Sequence, residues 1–300
     1  MAIPRRQTLV PSRPIPQLKG WTRKFSSFLR FQRYRPDDVA VSTVIVALDG
    51  SGDFDDIQAA IDSLPSTGGI VQIKAGTYKI SSQIDIRVSN TTIVGVGTST
   101  KIIPVSSINQ VFRVISLSNI LIDNLFIDCD SLSGAGIDFF GTTFSTISRC
   151  IIENASANGI TIHDSSEEIV IDGNQLSSNT QNGIIIATAK GIINDNKLID
   201  NTKSGIVINL SSNCVISSNI VTGNGTGLAP DPNKPYSGIL VQDDSNENII
   251  SSNTSVDNAN AEIEIKDSNC DDNIITFNNC TSGTITDNGT NTQIGHNITS

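Results

Sequence analysis

Residues 167–189 read EEIVIDGNQLSSNTQNGIIIATA, and residues 190–212 read KGIINDNKLIDNTKSGIVINLSS. Each holds a short apolar strand, a polar slot (Asn174 or Asn196), a second apolar stretch and a second slot five residues on (Asn179 or Asn201). A glycine, Gly183 or Gly205, then opens the next apolar strand. From Asn119 to about residue 290 the chain repeats this plan every 21–25 residues or so, with one unit of about 34. The remaining slots read as Asn124/Cys129, Arg149/Asn154, Asn219/Asn224, Asn253/Asn258 and Ile274/Asn279. The other strand-opening glycines are Gly136, Gly159, Gly238 and Gly283, with Glu262 the exception.

Each unit is too short in strand for a propeller blade and lacks a leucine-rich pattern. It fits one turn of a solenoid, in which every strand stacks on its equivalent about 4.8 Å away. The composition agrees. Polar residues are mainly Asn, Ser, Thr, Asp and Gly, which compete with helix for backbone hydrogen bonds, while the apolar ones are largely Ile and Val, which suit strands. Asn is expected in the slots because it tolerates left-handed backbone and its amide can donate and accept along a stack. The glycines are expected at corners with positive φ. Residues 224–239, NGTGLAPDPNKPYSGI, lengthen one coil into a loop that would project over one face.

Ahead of the repeats, residues 43–86 read TVIVALDGSGDFDDIQAAIDSLPSTGGIVQIKAGTYKISSQIDI. Phe54, Ile57, Ala60, Ile61 and Leu64 have helical spacing, which predicts a helix over about 54–64 with Asp53 as its N-cap. It would close the end of the core, as a solenoid requires. The string D-G-S-G-D-F-x-x-I-Q-A-A-I-D…G-G-x-V-x-I-x-x-G-T-Y resembles the opening of pectin-lyase-like proteins, a superfamily that includes pectate-lyase-like enzymes and phage tail spikes. The resemblance is specific over about residues 43–104 and generic in the repeats. It implies an all-β fold, a single-stranded right-handed parallel β-helix, and a polysaccharide ligand. Handedness comes from the resemblance alone, and no reaction follows from it.

The expected organisation is a basic N-terminal arm over 1–40 and a β-helix over 41–300, with its short N-terminal capping helix. Residues 1–36 hold nine Lys and Arg and no acid; residues 37–300 hold the other eleven bases and all thirty acids, a net of −19. Such a body disfavours specific nucleic-acid binding, whereas the arm is free to seek an acidic partner. Trp21, Phe25, Phe28 and Leu29 share one helical face of that arm, so docking to a larger assembly is expected; a membrane-surface helix, a transit peptide and a plain tail are the alternatives. Neither a transmembrane run nor the apolar stretch of a signal peptide is evident, so a cytoplasmic or virion-associated location is expected. Five cysteines without a CxxC pair support neither zinc nor a disulfide framework.

The family's reaction motifs are out of place. Ile137-Asp138-Phe139-Phe140-Gly141 and Gln242-Asp243-Asp244 stand in reversed order relative to pectin methylesterases, and no G-R-P-W is present. The Asp pair also suits a polygalacturonase, but Gly295-His296-Asn297 lies at the far end and R-x-K is missing. Coil-to-coil stacking supplies other candidates. Residues just after each strand align as Phe140, His163, Ala187, Asn209, Gln242 and Lys266. The next position carries Gly141, Asp164, Thr188, Leu210, Asp243 and Asp267, and the outward mid-strand position Asp138, Thr161, Ile185, Val207, Leu240 and Glu264. Candidate catalytic residues are therefore Asp138, His163, Asp164, Asp243 and Asp244, with solvated corners as the plain alternative. Arg149, Asn209, Gln242, Lys266 and, from the long loop, Tyr236 are candidate binding residues. No cofactor is expected, apart from Ca²⁺ at the Asp243/Asp244 pair. The apolar strip Ile185, Val207 and Leu240 suggests packing under the loop or between subunits, with a homotrimer as the tail-spike-like arrangement. Two functions stay open: a structural or glycan-recognition β-helix on a virion or surface, and a polysaccharide lyase, hydrolase or epimerase acting on uronic-acid glycans.

Overall fold

Strict alternation within the short strands sets the geometry. In Ile169–Asp172 the side chains of Ile169 and Ile171 are buried while Val170 and Asp172 are half exposed, and the same pattern recurs in Ile160–His163 and Gly191–Asn194. The computed structural model describes residues 42–226 and 236–299. The basic arm and most of the long loop, residues 227–235, lie outside the described residues.

Every strand pairs in parallel with its equivalent one coil away. Ile169–Asp172 lies on Gly191–Asn194, then on Val215–Ser217, Ile249–Ser251, Ile274–Thr276 and Gln293–Gly295. Two faces merge into one 19-stranded sheet, because Thr91–Pro104 and Leu121–Asp128 run round the corner between them. The third face is a nine-stranded sheet, from Ile84–Ile86 through Ser133–Phe140 and Ile160–His163 to Ile285–Asp287. Between the faces runs one continuous core of Ile, Val and Leu, with Phe112 and Phe139 its largest fully buried side chains.

Inside the core lie two amide ladders. Asn174, Asn196, Asn219, Asn253, Asn278 and Asn297 stack so that each backbone N–H and each Nδ2 donates to the Oδ1 of the Asn one coil on, at 2.9–3.0 Å. Asn179, Asn201, Asn224 and Asn258 form the second. The stacking role expected of Asn is thus observed, but the left-handed backbone falls one residue earlier, at Gly173, Asp195, Ser218, Ser252, Phe277 and His296 before the first ladder. Three slots shift with it, the first because register puts Leu125, not Asn124, over Cys150. Register aligns Cys150 and Ala155, not Arg149 and Asn154, with Asn174 and Asn179; their backbone N–H groups donate to those amides. In the last unit Asn278, not Ile274 or Asn279, continues the first ladder.

The second ladder ends differently. Where the next Asn would sit, register puts Gly283, and a Cβ there would lie 2.7 Å from Glu262 Oε1. The Glu262 carboxylate fills that vacant volume, accepting from the Asn258 backbone N–H and from Asn258 Nδ2. The exceptional Glu262 and the misaligned Gly283 are two halves of one substitution; Thr284, not Gly283, is the true equivalent of Gly238.

The strand-opening glycines do not have positive φ. They are required by close approach: at Gly183 a Cβ would meet Gly205 O and Leu198 Cδ2 at 2.7 Å, where backbone, ladder amide and core methyl crowd together. The helix is shorter than expected, Ile57–Asp62, and its N-cap is Asp56, whose Oδ1 accepts from Ala59 N at 2.7 Å. Phe54 bridges to Val46 instead, and Asp53 accepts from Ile45 N. Ile57, Ala60 and Ile61 bury against the first strands. All five cysteines are buried and unpaired, and burial pushes the Cys150 thiol up to about 12, which leaves it inert.

Candidate functional site

The nine-stranded sheet turns its mid-strand column and the column after it away from the core. Register confirms the expected alignment Phe140, His163, Ala187, Asn209, Gln242 and Lys266, and extends it upward through Ile115 to Arg87. The mid-strand column likewise extends from Asp138 through Arg113 to Asp85.

Asp138 and His163 are diagonal neighbours on adjacent coils, and Asp164 follows His163 at a corner with φ of 54°. His163 Nε2 lies 2.8 Å from Asp138 Oδ1, and its Nδ1 lies 2.8 Å from Asp164 Oδ2. A neutral imidazole has one N–H, so both contacts are hydrogen bonds only when the three groups hold two protons between them. Either His163 is an imidazolium between two carboxylates, or a neutral His163 accepts from a protonated Asp138. Burial pushes Asp138 above the ordinary carboxylate value, and the opposing pull of His163 does not cancel it. Ser166 Oγ donates to the His163 carbonyl and holds the corner, and Phe140 packs edge-on against the imidazole with ring centroids 5.0 Å apart.

Arg113 decides why Asp138 depends on His163. It stands between Asp85 and Asp138 in the column, but its Nε and Nη2 donate to Asp85 at 2.8 and 3.1 Å. Burial opposes ionisation of Asp85 too, yet these bonds hold it below its ordinary value. Above and beside the cluster, Ile115 and Phe140 are 46% and 40% exposed and form an apolar step on the face. Below it, Gln242 Nε2 donates to Asn209 Oδ1 at 2.9 Å and Lys266 Nζ to Gln242 Oε1 at 3.3 Å.

The structure therefore brings together Asp138, His163 and Asp164, and in the same face Asn209, Gln242 and Lys266. Asp243 and Asp244 occupy an exposed corner beyond Gln242, both with positive φ, and Asp243 N donates to Asp267. Arg149 lies elsewhere. It is the corner between Thr146–Ser148 and Ile151–Glu153, two strands of the 19-stranded sheet, and pairs there with the buried Asp123, to which Ser148 also donates. Tyr236 sits at the opposite end of the strand from Gln242, packed on Gly225. Val207 and Leu240, expected as an outer apolar strip, are 3% and 5% exposed, and Glu264 beside them is bonded by Ser237 and Asn260. Among the described residues no group of three or more His, Cys, Asp or Glu is placed to hold a metal, and no helix is long and apolar enough to cross a membrane. The Asp85–Arg113 pair and Ile115 escaped the sequence reading because they precede the regular repeats; a charged residue centred in Q-I-D-I and in V-F-R-V was the available signal.

The family model described as right-handed β-helix region matches residues 81–233. No curated protein matches at the sequence level. Among solved structures, the ORF18 protein of Geobacillus virus E2 is similar at 19% identity and a TM-score of 0.59, covering 81% of this chain and 57% of its own. The A-module of the mannuronan C-5 epimerase AlgE4 of Azotobacter vinelandii matches at 15% and 0.59, covering 81% and 94%. The enzymatically active domain of tailspike protein 2 from bacteriophage CBA120 matches at 15% and 0.64, covering 81% and 40%. This chain thus spans little more than half of the viral ORF18 chain and less than half of the tailspike. At these identities the likeness is one of fold.

Proposed function

The chain belongs to the right-handed β-helix family, and on that premise we propose that it recognises polysaccharide along the outer face of its nine-stranded sheet. The observation that carries this reading is the column Phe140, His163, Ala187, Asn209, Gln242 and Lys266, which offers an aromatic platform and then, interrupted only at Ala187, polar groups at one-coil intervals of about 4.8 Å. An extended sugar chain has the matching form: apolar ring faces, and hydroxyls that both donate and accept. Phe140 covers a ring face while Asn209 and Gln242 pair with hydroxyls. A virion- or surface-attached setting is supported by the viral and tailspike folds among the similar structures, with residues 1–40 as the attachment segment. Binding to a panel of soluble polysaccharides by calorimetry tests the reading. Phe140→Ala should weaken any interaction about tenfold, and a face that binds none of the panel sinks the proposal.

The Asp138–His163–Asp164 cluster favours a second reading, a polysaccharide-active enzyme in which the cluster gives and takes a proton at the glycosidic linkage. Release of reducing ends, or of unsaturated ends, from the same polymers distinguishes the two. Turnover lost in His163→Ala but retained in Asp243→Asn establishes the cluster as the site; absence of turnover on every bound polymer leaves recognition alone.

A further inference from the structure

Resting on the glycan-binding reading of this face, we infer that its ligand is an uncharged polysaccharide and that polyanionic glycans are rejected. From Asp138 downward the exposed columns carry Asp138, Asp164, Asp243, Asp244 and Asp267. The cations beside them are fewer than the carboxylates. Arg113 is held by both oxygens of Asp85, and Lys266 is tied to Gln242 and adjoins Asp267 in sequence. Around the corner, Lys190 stacks by register next to Glu168. The cluster at the centre of the face, with two carboxylates around one imidazole, has no guanidinium or ammonium free to take a uronate carboxylate. The body as a whole, residues 37–300, carries −19. What the face does offer is neutral: the exposed Phe140 and Ile115 for ring faces, the Asn209 and Gln242 amides for hydroxyls, and carboxylate oxygens that accept from hydroxyls.

Carboxylates spaced along a chain lying on this face would each meet like charge within about a Debye length, and the repulsions compound at low salt. Calorimetry or affinity electrophoresis with soluble neutral glucan and galactomannan against polygalacturonate and alginate of similar length provides the test, run at about 20 mM and about 300 mM salt. The expected result is salt-independent binding of a neutral polymer, with polyuronates at least about tenfold weaker at low salt and nearer to it at high salt. In the double variant Asp243→Lys/Asp244→Lys, at an exposed corner, the affinity ratio of polyuronate to neutral polymer should rise about tenfold at low salt. Polyuronate binding tighter than neutral binding, or a ratio that falls in the double variant, overturns the inference and leaves glycan recognition standing. Binding of neither class overturns both.

Discussion

Polar columns run along this solenoid both inside and outside, and the two kinds do opposite work. Inside, each ladder Oδ1 past the first accepts from two donors, and Nδ2 also reaches a strand carbonyl, as Asn196 does to Ile171 O at 2.8 Å. No capacity is left for a ligand, and no water competes. Outside, His163 has both nitrogens committed, one to the part-buried Asp138 and one to the exposed Asp164, and the side chains of Asn209, Gln242 and Lys266 are bonded only to one another. The residue types overlap; burial separates the roles. A buried amide ladder holds the stack because breaking it strands polar groups in the core, whereas the outer column can exchange its bonds for those of a sugar at little cost.

The sharpest way to break that contrast is to truncate one member of each column. Asn196→Ala removes two acceptor and several donor bonds at a fully enclosed site, and should cost about 2–4 kcal/mol in chemical denaturation. His163→Ala should cost no more than about 1 kcal/mol. Equal losses would mean that the outer column is structural as well. The end of the second ladder sharpens the point. Glu262→Gly should cost about 1–3 kcal/mol, and adding Gly283→Asn should recover most of it by placing an amide where the carboxylate had reached. Failure of the second change to rescue the first would show that Glu262 does something other than complete the ladder.

A smaller effect separates Asp85 from Asp138 by pH. Asp85 is held below its ordinary value of 3.8, so its contribution is present above that pH and fades as pH falls through the folded value. Asp138 is raised, so its contribution is present below 3.8 and is lost as pH rises through the folded value. Asp85→Asn should therefore lower the Tm at neutral pH and not in acid. Asp138→Asn should leave the Tm unchanged or slightly higher at neutral pH, and that gain should vanish below about pH 4. Thermal melts across pH 3–8 or so check both signs; the same sign for both variants would place Arg113 between the two carboxylates rather than on Asp85 alone.

Much of this was legible in the sequence because in-register parallel stacking turns sequence spacing into spatial contact. Residues one coil apart touch, so aligning the G-I-x-I strands was enough to list the outer columns correctly from Phe140 to Lys266. The inner slots differ from the sequence-based expectation mainly where they hold no Asn. Arg149 and Asn154 are polar and sit one residue early, at left-handed corners with φ of 52° and 60°, while the buried slots hold Cys150 and Ala155. Polarity alone does not distinguish a corner from a ladder, and a one-residue shift exchanges inside for outside. The coils, their parallel stacking and the neighbours along each outer column were determined by the sequence itself. Only the tertiary structure decided that Arg113 binds Asp85, that Arg149 binds Asp123 on another face, and that Asp138 and Asp164 close on His163. Those choices depend on side-chain direction and desolvation at each corner, which the repeat leaves free to vary from coil to coil.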